Sequence, residues 1–279
     1  MQQPLVSVLV HTKNSKRTIK KHLESIVSQS YKPIEIIMVD NNSTDNTVAI
    51  AKHFTRNIFT YGPERSAQRN FAAKKAKGDY FLVPDSDMIL GKNVVAQCVS
   101  LMLSDPKIKA IVIPEESIGE GFWTQCKILE RSFYFGVDWI EAARFFKRKT
   151  FERIGGYDEK NTGTEDYDLP QQIIKKYGKE STGRIKEFIY HDEGRLSLFG
   201  TLKKKFYYAQ KLQVYKDRNP EYYGKQANII RRYVLFFSNP IKLFRNPVIG
   251  LGMLFMKTCE FAAGGLGYLF KRKINVYAS

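Results

Sequence analysis

At 279 residues, with 43% hydrophobic and 26% charged side chains, the chain can bury a sizeable core and is too apolar for a disordered polymer. Its formal net charge of +17 is unevenly placed: from Arg195 to Ser279 there are 16 Lys and Arg against 3 Asp and Glu, a net +13, leaving +4 for the first 194 residues. The basic stretch calls for an anionic partner (nucleic acid, phospholipid headgroups or a phosphorylated acceptor), whereas Cys98, Cys126 and Cys259 are too far apart for a metal or redox pair and suit a reducing compartment.

Leu5 to Val10 is a short apolar run of the kind that forms a buried parallel strand. The chain reaches it without a basic-then-apolar leader, so no signal peptide is expected. Ile19, Leu23, Ile26 and Val27 fall at helical spacing within Arg17–Ser28, and Ile34 to Val39 reads as a second strand. A helix near Asp45, capped by Ser43 or Thr44, leads to a strand over Ile58–Thr60. Then come a helix over Ser66–Ala76, a strand over Tyr80–Val83, a helix over Asn93–Leu103 and a strand over Ala110–Ile113. Strand and helix alternate at short intervals, as in a doubly wound α/β sheet.

Past Pro114 the alternation loosens. Aromatic-rich Phe122–Trp139 reads as a helix, Ala143–Lys147 as a short strand, Gly155-Gly156 as a turn and Glu165–Tyr177 as a helix with Pro170 in its opening turns. The composition turns basic and aromatic after Gly194. A boundary there divides the chain into a catalytic domain, 1–194, and a basic helical region, 195–279.

Polar clusters at Thr12–Asn14, Asp40–Asp45 and Asp85–Asp87 each follow a strand. In such sheets ligands bind at the carboxyl edge, so all three should line one crevice. Asp85-Ser86-Asp87 puts two carboxylates one residue apart on a turn. Hard oxygen ligands suit Mg2+ or Mn2+, which neutralises a departing diphosphate; a plain Asx turn fits the same residues. Asp40 is placed to accept from a base or ribose, and Arg69 to meet phosphate oxygens as a two-pronged donor.

Val6-Ser-Val-Leu-Val-His-Thr-Lys-Asn14, Val39-Asp-Asn-Asn-Ser-Thr-Asp45, Gln68-Arg-Asn70 and Gly78-Asp-Tyr-Phe-Leu-Val-Pro-Asp-Ser-Asp87 stand in this order. With Gly155-Gly-Tyr-Asp158 and Gly163-Thr-Glu-Asp-Tyr-Asp-Leu169, they resemble the family 2 glycosyltransferases of the GT-A fold over roughly residues 5 to 192. The resemblance implies that Thr12 and Asp40 contact the nucleobase, that Asp85 lies near the ribose, and that Asp87 ligates the metal holding the diphosphate of a UDP- or GDP-sugar. It implies that Asp166 is the catalytic base of an inverting transfer, supported by Glu165, and that His191 is a further metal ligand. Two positions depart from the family pattern. His11-Thr-Lys-Asn14 replaces the commoner Pro-Thr-Tyr-Asn, and Asn41 stands where a second aspartate is common. Favouring the positive end of their helix is an alternative role for Glu165, Asp166 and Asp168. Trp139 is a candidate sugar-stacking residue, although aromatic stripes more often belong to a core.

In the basic region, Lys203, Lys204, Lys205 and Lys211 interleave with Phe206, Tyr207 and Leu212 over Leu196–Tyr215, the pattern of an amphipathic helix on an anionic surface. Pro247–Phe270 is long enough to span a bilayer, but Lys257 and Glu260 lie mid-segment. A charge there costs about 2.5–3.5 kcal/mol on insertion scales. Three arrangements are open: helices in the membrane plane, a spanning or re-entrant helix, and a buried helical subdomain. Arg245 and Lys271–Lys273 flank the segment and suit the cytoplasmic leaflet, so a peripheral enzyme with a glycan or lipid-linked acceptor is expected. A polyprenyl phosphate acceptor, nucleophilic without a base, is the alternative among transferases. Nucleic-acid binding is the rival class, but no such motif is present and the apolar run suits lipid better.

Overall fold

The structure, a computed structural model, describes residues 3–276, with side chains described as far as Phe270; the side chains of the basic run Lys271–Lys273 lie outside that range. The chain forms two compact units. One comprises Met1–Glu115, Glu141–Glu159 and Glu165–Asp192, the other Glu116–Ile140, Lys160–Thr164 and Glu193–Ser279. A single cut after Gly194 is therefore not how the chain divides: the aromatic stretch 116–140 leaves the α/β unit early and joins the C-terminal helices.

In the first half of the chain the elements are β1 (Val6–Thr12), α1 (Ile19–Val27), β2 (Ile34–Asp40), α2 (Thr47–Ala51), β3 (Ile58–Thr60), α3 (Arg65–Lys75) and β4 (Tyr80–Leu82). They continue with β5 (Met88–Leu90), α4 (Val94–Ser104), β6 (Ala110–Val112), β7 (Glu115–Gly119) and α5 (Phe122–Ser132). Then follow β8 (Ala143–Lys147), α6 (Arg148–Ile154), α7 (Glu165–Tyr177), β9 (Thr182–Arg184) and β10 (Ile189–Gly194). The remainder is helical: α8 (Leu198–Ala209), α9 (Gln213–Arg218), α10 (Pro220–Ala227), α11 (Ile229–Phe237), α12 (Pro240–Phe244) and α13 (Pro247–Val276).

The first unit is built on a seven-stranded sheet in the order β3-β2-β1-β4-β8-β6-β9. Only β8 runs antiparallel to its neighbours, β4 and β6. Alternation along β1 explains why its sequence is apolar throughout. Val6, Val8 and Val10 enter one core with Leu23, Ile26 and Phe145, and Leu9 enters the other with Phe81, Phe146 and Ile173. From β1 the chain builds β2 and β3 on one side, then crosses to β4 on the other. That reversal opens a crevice at the carboxyl ends of β1 and β4, where His11 and Asp85 form an isolated parallel bridge. Beside it, β10 pairs antiparallel with β5, placing His191 opposite Met88.

In the second unit α13 packs against α5 and α8 around Cys126, Phe133, Phe236, Leu243, Met253 and Met256. The two charges of the apolar segment face inward. Lys257 Nζ reaches Glu130 Oε1 at 2.6 Å and Glu260 Oε2 at 2.9 Å, while Lys127 Nζ lies 2.5 Å from both Glu130 and Glu260. All four side chains are at most 10% exposed, and each lysine bridges both glutamates, so no buried charge is left unpaired.

Two expected helices are shorter than the sequence suggests. The one over Phe122–Trp139 stops at Ser132, where Phe133 and Tyr134 bond back to Glu130 and Arg131 in tight turns that lead to Gly136 at φ +76°. The one over Leu196–Tyr215 breaks at Gln210–Leu212 into α8 and α9.

Gly252 and Gly267 let α5 and α8 approach α13 closely: a Cβ would lie 2.5 Å from Phe122 Cζ at the first and 2.4 Å from the Phe206 carbonyl at the second. Gly267→Val should cost about 1–3 kcal/mol through overpacking, read as a lowered Tm. An unchanged melt would contradict the close approach of α8 and α13.

Candidate active site

Thr12 and Asp40 are register partners at the ends of β1 and β2, which puts their side chains together. Thr12 Oγ1 donates to Asp40 Oδ1 at 2.8 Å, and Ser43 supplies its hydroxyl to Oδ1 at 2.5 Å and its amide to Oδ2 at 2.7 Å. Both carboxylate oxygens are thus fixed by a short turn in which Asn42 adopts φ +51°. Asn41, at the position where a second aspartate is common, turns instead to the Pro63 carbonyl at 2.7 Å. Gln68, from α3, ties the loop down by donating to the carbonyls of Thr12 and Val39.

The next residue of α3, Arg69, is completely buried. Its NH2 donates to Asp85 Oδ1 and its NH1 to Asp166 Oδ1, each at 2.7 Å, and its guanidinium lies 5.0 Å above the Tyr157 ring. The sequence suggests a phosphate contact for this arginine; the structure makes it the bridge between the turn after β4 and the start of α7. Arg144, on β8, closes the other side, with NH2 3.3 Å from Asp85 Oδ2 and Nε 2.5 Å from Glu115 Oε1. Burial opposes ionisation of Asp85, but Arg144, His11 and Arg69 together outweigh it and hold its carboxyl well below the usual range. Asp166 is likewise held low, burial being overcome by Arg69 and Arg144. Its neighbour Glu165 behaves oppositely: burial and the Asp166 charge raise it, although Arg65 NH2 sits 2.7 Å from Oε1.

His11 completes this network and is neutral. Burial, then Arg69, lowers its pKa to about 4. With Nε2 3.2 Å from Asp85 and Nδ1 3.4 Å from the Arg69 Nε–H, the consistent tautomer donates from Nε2 and accepts at Nδ1.

Asp87, the second carboxylate of the turn, points elsewhere. Its Oδ2 lies 3.3 Å from His191 Nε2, the contact that holds its carboxyl low against burial. Its Oδ1 is buried with no hydrogen-bond partner among the described residues. The same residues contain no group of three or more His, Cys, Asp and Glu able to hold a metal ion. A cation that takes one or two protein ligands and completes its shell with water and phosphate oxygens nevertheless fits Asp87 and His191, because the orphaned Oδ1 and the imidazole are adjacent.

The remaining candidates lie in the second unit. Trp139, the sugar-stacking candidate, has Arg232 and Arg231 over its ring at 4.9 and 5.5 Å, and its carbonyl accepts from Gln226. Lys203, Lys204 and Lys205 are exposed on α8. Phe206 turns inward, its ring centroid 5.9 Å from that of Phe270, so it belongs to the α8–α13 contact rather than to a free basic face. His11, Arg65 and Arg144 are site residues that the sequence reading missed. For Arg144 a signal exists: a charge inside the apolar strand Ala143-Arg-Phe-Phe-Lys147 needs a buried partner.

The buried histidines make the fold acid-sensitive. Unfolded, each binds a proton near pH 6.5; folded, His11 does so only near 4, and burial also lowers His22. Their stabilisation is therefore complete above pH 6.5 and is lost as pH falls, for His11 by up to about 1.4 kcal/mol per pH unit. His11→Gln should lower that slope in denaturant melts between pH 6.5 and 5. An unaltered slope would contradict a neutral, buried His11.

The family model described as glycosyl transferase family 2 matches residues 7–162. The chain is 26% identical over 220 residues to the glycosyltransferase GlyA of Streptococcus pneumoniae, covering 77% of this chain and 30% of that protein. It is 40% identical over 88 residues to the UDP-Glc:alpha-D-GlcNAc-diphosphoundecaprenol beta-1,3-glucosyltransferase WfaP of Escherichia coli, covering 30% of this chain and 35% of that one. The chain thus spans about a third of the length of either relative. Its fold matches that of the mannosyltransferase PcManGT from Pyrobaculum calidifontis, solved with GDP-Man and Mn2+, at a TM-score of 0.56 and 17% identity over 100% of this chain and 81% of that one. The architecture is α/β and GT-A-like, the family model covers more than half of the residues, and the carboxylates of its motifs converge on one crevice: the chain belongs to glycosyl transferase family 2.

Proposed function

We propose that the chain is an inverting, metal-dependent glycosyltransferase. It moves a sugar from a UDP- or GDP-sugar to a hydroxyl of a glycan or polyprenyl-linked acceptor, at the cytoplasmic face of a membrane. The observation that carries this reading is the fork of Arg69, which holds the carboxylate of the strand-end turn and the carboxylate at the start of α7 within one hydrogen-bonded group. Donor and acceptor chemistry need such adjacency.

In this reading the Thr12–Asp40–Ser43 group receives the nucleoside and Asp85 stands by the ribose. Asp87 and His191 would hold Mn2+ or Mg2+, which supplies charge neutralisation for the departing diphosphate. The acceptor oxygen forms its bond to the anomeric carbon from the face opposite the diphosphate, as the bond to the diphosphate oxygen breaks. The hydroxyl proton goes to Asp166, which Arg69 and Arg144 keep ionised at neutral pH. One displacement inverts the anomeric carbon. Glu165, pinned by Arg65, orients the start of the helix.

Two observations support a membrane acceptor: the net +13 beyond residue 194, and WfaP, whose acceptor is a diphosphoundecaprenol-linked sugar. PcManGT, with GDP-Man and Mn2+ bound, supports the donor class and the metal.

With a panel of nucleotide sugars, Mn2+ and a membrane lipid extract, Asp166→Asn should still bind nucleoside diphosphate but lose transfer by about 10²- to 10⁴-fold. Asp87→Ala should lose the metal-dependent part of nucleotide binding in calorimetry. Full turnover in Asp166→Asn would remove it as the base and favour a phosphate acceptor.

A further inference from the structure

As far as Phe270, the long helix α13 buries its two charges and exposes an apolar row. On its inner side Lys257 and Glu260 are buried and neutralised by Lys127 and Glu130 of α5. Its outer row consists of Val248, Leu251, Phe255, Leu266 and Leu269, each 53–66% exposed, with exposed Thr258 and Ala262 filling the gap. Steps of three and four residues place these side chains on one stripe, and none is charged. From Val248 to Leu269 the stripe is about 32 Å long at 1.5 Å per residue. A helix facing water turns its charges outward; along this length α13 buries both of its charges beside Met253 and Met256 and leaves an apolar row exposed.

We propose that this stripe is immersed at the boundary between headgroups and acyl chains of an anionic bilayer, with α13 lying in the membrane plane. Spanning does not fit, because the inner side of the helix carries the four-charge cluster and is covered by α5 and α8, which would have to enter the hydrocarbon with it. A second copy of the chain is the other apolar occupant, but it would bring a second +13 against the first. Anionic lipid complements that charge and also accepts the bare stripe. The same unit exposes Ile230 and Ile241 at 77% and 84%, further apolar surface of the kind that lipid covers. The proposal deepens the membrane attachment proposed above and rests on it alone; sugar transfer is not required.

The test is flotation of the full chain with vesicles of phosphatidylcholine, with and without phosphatidylglycerol, alongside Leu251→Glu/Leu266→Glu. The wild-type chain should float with the anionic vesicles, and the double variant should lose roughly tenfold or more of that partition while keeping its Tm. Flotation of wild type and variant alike overturns the stripe as the contact but leaves membrane attachment through the lysines standing. No flotation of the wild type overturns both, and dimers that the double variant dissociates, without flotation, assign the stripe to a second copy. Should the variant fail to fold, a probe close to the native stripe decides. Trp123 lies 6.3 Å from Phe255 between ring centroids, so in Trp139→Phe, where it is the remaining tryptophan, acyl-brominated lipids should quench its fluorescence. Unquenched Trp123 in vesicle-bound protein overturns the proposal.

Discussion

The guanidinium of Arg69 is the point on which the catalytic unit turns. It is wholly buried, and a buried cation is tolerated only where its hydrogen-bonding fork is filled. Asp85 and Asp166 fill it from two directions. Removing either carboxylate would strand the other charges, and loss of one partner from such a group costs about 3–5 kcal/mol. The same requirement explains His11. A charged imidazole beside two guanidinium groups would be repelled, so burial and Arg69 keep it neutral. The neutral ring can donate to Asp85 on one side and accept from Arg69 on the other. In the proposed reading, chemistry and stability use one set of contacts here.

Asp87 is the exception that gives the network its use. Every other carboxylate in the crevice is held by an arginine or by hydroxyl and amide donors, while Asp87 keeps a buried oxygen without a partner among the described residues. An orphaned carboxylate oxygen beside an imidazole is costly unless something positive arrives. Asp85 and Asp87 are one residue apart, yet their environments separate their roles: Asp85 is held by Arg69 and Arg144, and Asp87 is left for a ligand.

Much of this was legible in the sequence because the signals were local. An apolar run followed by a polar cluster located the ends of β1, β2 and β4, and so the crevice. Acidic residues after Gly163 located the start of α7. What was illegible depended on partners distant in the chain. His11 reads as a loop residue until β1 is seen to continue to Thr12 and face Asp85. Arg144 and Glu115 mean little until β8 is inserted beside β4. Lys257 and Glu260 read from sequence as a cost to a bilayer span of Pro247–Phe270, and anchor it only because α5 supplies the opposite charges from 127 and 130. Gly267 of that segment is where α8 comes closest, its place for a Cβ lying 2.4 Å from the Phe206 carbonyl. For the same reason the unit boundary was misplaced, since 116–140 precedes the helices it packs with by about a hundred residues in the sequence.

Arg69→Lys asks whether the arginine fork aligns Asp85 with Asp166, the base proposed above. Lysine keeps the positive charge but cannot bond two carboxylates in a fixed plane. Transfer from the nucleotide sugar that the wild-type chain uses should fall by about 10²-fold or more, the loss expected when reacting groups are misaligned by about an ångström, while nucleoside diphosphate still binds. Wild-type transfer rates in a folded Arg69→Lys chain would contradict the account.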